Sequence, residues 1–140
     1  MAVRAECYAR FATQLRARLE PIDDPIERVH EVARGYHEHA ATHPSEFGLM
    51  FQLGQPDPGA YPWAHRAGID AWRGVREAVE GAVLAGAVQA DVLELAHLLW
   101  SGVHGIVSLT MSSRLSVGKS AADLVDPMVS ALMRAHGWCP

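Results

Sequence analysis

Apolar residues recur along this chain every three to four positions, and polar residues fill the gaps between them. Tyr8, Phe11, Ala12, Leu15 and Leu19 fall on one helical face, with Arg10, Arg16 and Arg18 off that line. Pro21 closes this first helix. Asp24 and Pro25 supply an N-cap and a first helical position for a second. Its apolar face runs Ile26, Val29, Ala33, Tyr36 and Ala40, and Pro44 ends it. A short third helix starts at Ser45, read as its cap, and carries Phe47, Met50 and Phe51. Residues 54–62 are dense in Gly and Pro and read as a loop. A long fourth helix begins near Trp63, with Trp72, Val75, Val79 and Val83 inward, and Gly86 terminates it. Asp91 caps a fifth helix reaching about Ser113. Ser120 and Asp123 form a capping box for a sixth, which Gly137 stops. Its apolar positions form two neighbouring rows, Leu124, Met128, Leu132 and Val125, Val129, Met133. Nothing alternates long enough for a sheet, so the pattern predicts an all-α chain.

The fifth helix departs from the amphipathic rule. Leu98-Leu99-Trp100-Ser101-Gly102-Val103-His104-Gly105-Ile106-Val107-Ser108-Leu109 is apolar on every side. Such a helix needs a partner on both faces, one inside the subunit and one outside it. The alternative is a monomer whose last helix covers the second face. Gly102 and Gly105 each cost about 1 kcal/mol relative to Ala inside a helix, so close approach of another helix should compensate. Gly102 suits a subunit interface and Gly105 a cavity side, although the spacing alone does not assign the sides.

Composition narrows the class. At 140 residues the chain reads as one domain (1–140), long enough to bury roughly 70% of its unfolded surface. A net charge of −4, with the arginines scattered singly and Lys119 the sole lysine, argues against a nucleic-acid surface. No run reaches the ~20 apolar residues of a membrane span, and the N-terminus does not look like a signal peptide. Cys7 and Cys139 match no metal or redox spacing and read as reduced thiols, which points to a cytoplasmic protein.

Candidate chemistry centres on aromatic residues. Trp100 and His104 lie four apart on one stripe, extended by His97 and Met111. Tyr36, Met50, Phe51 and Trp72 are placed to converge on it from other helices. Aromatic rings with flexible methionines make an adaptable apolar pocket, to which one His adds a directional hydrogen bond. The competing account is that these residues only fill the core. Among the eight histidines, His39 and His43 share a helix face as a metal pair would. No acidic or Cys partner is set at a matching spacing, and His43 before Pro44 also suits the C-terminal helix dipole, so no metal site is assigned. Ser101 and His104 lack a third orienting group, and neither a phosphate loop nor a nucleophile elbow is present. The expectation is a protein that is not an enzyme and needs no cofactor.

Trp100-x-x-x-His104-Gly105 resembles the WHG signature in the C-terminal domain of TetR-family transcriptional regulators. The stretch from Tyr36 through His43-Pro44-Ser45-Glu46-Phe47-Gly48-Leu49-Met50-Phe51 resembles that family's aromatic, Pro-ended helix and Leu-Met-Phe helix. Gly86 and Asp91 follow in the matching order. The resemblance implies a six-helix ligand-binding and dimerisation domain. Its last two helices, about 91–113 and 120–136, would form a four-helix bundle with those of a twin subunit. It also implies a small, mostly apolar effector that controls DNA binding, as a repressor, through an N-terminal helix-turn-helix unit. That unit is expected to be absent here, since the first helix corresponds to the linker after it. The alternative reading is a non-regulatory helical small-molecule or metal-binding protein.

Overall fold

The structure, a computed structural model, describes residues 1–52, 54, 57–115 and 117–140. The elements are α1 (Ala2–Leu19), α2 (Pro25–Thr42), α3 (Pro44–Phe47) running into a π-helical turn (Gly48–Gln52), α4 (Pro62–Leu84), α5 (Val92–Met111) and α6 (Ala121–Ala135). No strand occurs among the described residues.

Helix ends follow local chemistry. The Asp24 carboxylate accepts from the Glu27 N–H at 3.2 Å, and Asp91 accepts from Glu94 at 2.8 Å. Ser120 and Asp123 form the reciprocal capping box. Gly86, at φ +72°, leaves α4 in the left-handed region, and the Ala87 N–H donates back to the Ala82 carbonyl at 3.0 Å.

Two boundaries differ from the sequence expectation. Ser45 is not a cap: α3 starts one residue earlier, with Pro44 at its first position and His43 preceding it without a side-chain cap. Proline's fixed φ suits that first position, so Pro44 opens the next helix as well as barring the last one. The third helix also widens into a π-helical turn over 48–52. In the loop, the Asp57 carboxylate accepts from Gly59 N–H at 3.1 Å and its carbonyl accepts from Ala60 and Tyr61. Gln55 and Pro56 of the expected loop lie outside the described residues.

Helix α2 is the central element, packing against α1, α4, α5 and α6, while α4 bridges α1 and α5. Val29, Val32, Ala33 and Tyr36 of α2 meet Val75 and Val79 of α4, Leu95, Leu99 and Val103 of α5, and Val129 and Met133 of α6 in one core. Ion pairs tie the margins. Asp126 of α6 accepts from Arg34 Nε at 2.9 Å and lies 2.8 Å from His30 Nδ1, both on α2. Burial raises the Asp126 pKa, but the hydrogen bonds from His30 and Arg34 outweigh it and hold the carboxyl below its ordinary range.

Helix α5 is buried on one face only within this chain. Leu95, Ala96, Leu99, Val103 and Val107 point inward, whereas Leu93, Leu98 and Leu109 are exposed. By length and composition this helix would suffice to cross a membrane, but its inner row belongs to the bundle core. Gly102, on the same row as Leu98 and Leu109, has a close neighbour within the subunit. A Cβ built there would lie 2.7 Å from Met128 Sδ, so Gly102 lets α6 approach α5 inside the same subunit. Gly105 is the open position, with nothing within 4 Å of a built Cβ.

Candidate functional site

A half-open cavity of about 510 Å³ lies between α1, α2, the π-helical turn, α4 and α5. That volume suits one drug-sized molecule. Each wall comes from a different helix, because the i, i+4 spacing that builds the core also aims large rings at its edge. Helix α1 contributes Tyr8 and Phe11, α2 Tyr36, the π-helical turn Met50 and Phe51, α4 Ala64, His65, Gly68, Ile69, Ala71, Trp72 and Val75, and α5 His97 and Trp100. The lining holds no Asp, Glu, Lys or Arg among the described residues.

Tyr36 is the polar hub. The Trp100 indole N–H donates to its hydroxyl oxygen at 3.2 Å, and His104 Nδ1 lies 2.7 Å from the same oxygen. Burial pushes the Tyr36 phenol far above its ordinary range, so it stays a neutral hydroxyl. Burial also lowers the His104 pKa, favouring the uncharged imidazole. Around the hub the rings meet mostly edge to face. Phe47 stands at 88° to Tyr36 with centroids 5.4 Å apart, and Trp72 and Trp100 lie 5.5 Å apart.

The structure brings five of the six candidate residues, Tyr36, Met50, Phe51, Trp72 and Trp100, into the cavity wall. His104 stands behind that wall, against Tyr36 and over the face of Phe47. His97, read as an extension of the Trp100 stripe, is in the lining, whereas Met111 at the far end of α5 is not. Sequence reasoning passed over Tyr8 and Phe11 as plain core. They occupy the core line of α1, and only their shared face with the later aromatic cluster signalled a second use. Tyr8 also donates its hydroxyl proton to the Met50 carbonyl, which fastens the π-helical turn to α1.

His39 and His43 stack with centroids 5.0 Å apart rather than opening towards a common point. The buried His39 Nε2 lies 3.7 Å from Glu46 Oε2, beyond hydrogen-bond reach, and neither atom has a hydrogen-bond partner among the described residues. Desolvation lowers the His39 pKa; the neighbouring His43 lowers it further, and Glu46 opposes both. Among the described residues no three His, Cys, Asp or Glu side chains group as a metal site.

The result is an all-helical bundle with a largely aromatic cavity beside a Trp-x-x-x-His-Gly helix. Residues 29–132 match the family described as tetracyclin repressor-like, C-terminal domain, and the chain belongs to that family. The fold is also that of a solved structure described as a protein with unknown function from Rhodococcus sp. RHA1. That structure has a TM-score of 0.86 at 22% identity, over 96% of this chain and 71% of the other. No curated protein matches.

Proposed function

We propose that this chain is the effector-sensing and dimerisation domain of a TetR-like transcriptional regulator and performs no catalysis. The observation that carries the reading is the aromatic cavity, in which Tyr36, Phe51, Trp72 and Trp100 surround space for a small, mostly apolar molecule. Met50 lends the wall adaptability, and His104 orients Tyr36 from behind.

The second half of the proposal is a homodimer through α5 and α6. The outward side of α5 carries Leu98, Gly102, Gly105 and Leu109, and α6 adds the half-buried Leu124 and Met128, the latter against Gly102. A second copy related by a two-fold axis would cover this face with the same face of its own, giving a four-helix bundle. In the full regulator, effector binding favours the subunit arrangement whose helix-turn-helix heads no longer fit the operator. It acts only through its differential affinity for the two states. Such a regulator works in the cytoplasm, as a repressor, and touches DNA only through that N-terminal unit.

Native mass spectrometry of the purified protein tests both halves. A dimer carrying a small organic adduct is the expected result. A monomer, or a species with stoichiometric zinc, overturns the reading in favour of a helical carrier.

A further inference from the structure

The polar atoms around the cavity are not equivalent, and one of them is fixed in its role. His97 Nδ1 lies 2.7 Å from the Leu93 carbonyl oxygen, one turn back on α5. A carbonyl can only accept, so Nδ1 carries the hydrogen, and Nε2 of the neutral ring is left as an acceptor. This ring packs against Trp72, with centroids 4.7 Å apart, and stands 6.5 Å from Trp100. His97 is exposed, so this acceptor sits at the rim, beside an aromatic platform.

Deeper in, donors are turned towards the protein. The Trp100 N–H is engaged by Tyr36 and the Tyr8 hydroxyl by the Met50 carbonyl. Arg4, one turn before Tyr8 on the same face of α1, is buried but outside the lining, and it donates to the Gly54 carbonyl at 3.2 Å. A carboxylate entering this space would lose its hydration with no Lys or Arg in the described wall to replace it; the lining's two imidazoles, His65 and His97, are neutral at alkaline pH.

Building on the sensor reading above, we infer that the cavity selects a flat aromatic molecule bearing an N–H or O–H donor and no carboxylate. The ring system lies against Trp72 and Trp100, and the donor is read by His97 Nε2. His97 is thus a specificity-determining residue, whereas the ring faces supply the general affinity.

Three probes sharing one ring system test this by calorimetry at about pH 8, where an ordinary imidazole is neutral: 2-naphthol, 2-methoxynaphthalene and 2-naphthoate. The expected order has naphthol about three- to tenfold tighter than the methyl ether, the net worth of one hydrogen bond at an exposed rim, with naphthoate weakest because the described wall holds no Lys or Arg to replace its hydration. In His97→Ala the naphthol-to-ether ratio collapses towards one. In His97→Gln, whose side-chain carbonyl also accepts, part of the ratio survives. Equal binding of naphthol and its ether by the natural protein, or a ratio unchanged in His97→Ala, overturns the donor assignment and leaves the sensor reading standing. Tightest binding by naphthoate overturns the charge argument in the same way. Failure of all three probes to bind overturns the inference, while a dimer carrying an organic adduct in the native mass spectrum keeps the sensor reading standing.

Discussion

The indole N–H of Trp100 and the hydroxyl of Tyr36 meet at 3.2 Å, joining α5 to α2 where the cavity is deepest in aromatic side chains. Because His104 Nδ1 shares that oxygen at 2.7 Å, one hydroxyl holds two neighbouring turns of α5 in place. Tyr36→Phe keeps the ring and removes the hub, leaving an indole N–H and an imidazole nitrogen without this partner. The expected loss is about 1–3 kcal/mol of stability, read from the urea midpoint at unchanged helical content. A midpoint equal to that of the natural protein would show that water replaces the hydroxyl at no cost.

Gly102 and Gly105 should behave oppositely. Gly102→Val pushes a branched side chain against Met128, whose Sδ would lie 2.7 Å from the new Cβ; because that half-buried thioether can swing aside, the subunit should lose only about 1 kcal/mol. Gly105→Leu meets open space in the subunit, so the fold should survive. Its effect should fall on self-association, shifting the sedimentation of the protein from dimer to monomer. A Gly105→Leu protein that remains a tight dimer contradicts the proposed interface.

Acid should weaken the fold through its histidines. His39 and His104 have pKa values lowered by burial, so the unfolded chain takes up their protons more readily than the folded one. The stability tied to their neutral forms is complete above about pH 6.5, the ordinary imidazole value, and is lost as the pH falls through the lowered folded values. Thermal melts in steps from pH 8 to pH 5 should show a falling midpoint, and His104→Asn should flatten the slope. A midpoint that rises on acidification would reverse the sign of the argument.

The Asp126 clamp gives a charge-specific test. Asp126→Asn removes the carboxylate that holds both Arg34 and His30 of α2. The Asp126 side chain is about half exposed and Arg34 about one-third, so the loss should be about 1 kcal/mol rather than the larger value of a fully buried pair. A double-mutant cycle with Arg34→Gln should recover a coupling energy of at least about 0.5 kcal/mol. Full additivity would mean that the pair contributes only packing.

Much of the fold was legible because its signals are local. A cap such as Asp91 or Ser120 bonds an N–H three residues away, and Gly86 is needed where the backbone φ turns positive, so a short window suffices. Pro44 misled because the same residue can bar one helix and begin the next. The neighbour that Gly102 makes room for was not legible, because Met128 is distant in sequence. The cavity was half legible. Trp100 and Tyr36 belong to motifs, but Tyr8 and Phe11 look like core from α1 alone, and the role of His97 depends on where its Nδ1 hydrogen goes. That last fact is a three-dimensional one.

Trp72 and Trp100 lie with their ring centroids 5.5 Å apart and their planes at 54°. Two indoles so close and so tilted share their electronic excitations, and the pair acts as a chiral chromophore in its own right. The cavity therefore carries a built-in optical gauge. Any molecule that wedges against these rings changes their mutual angle, and with it the sign or size of the paired circular-dichroism bands, with no label attached to the protein or to its guest.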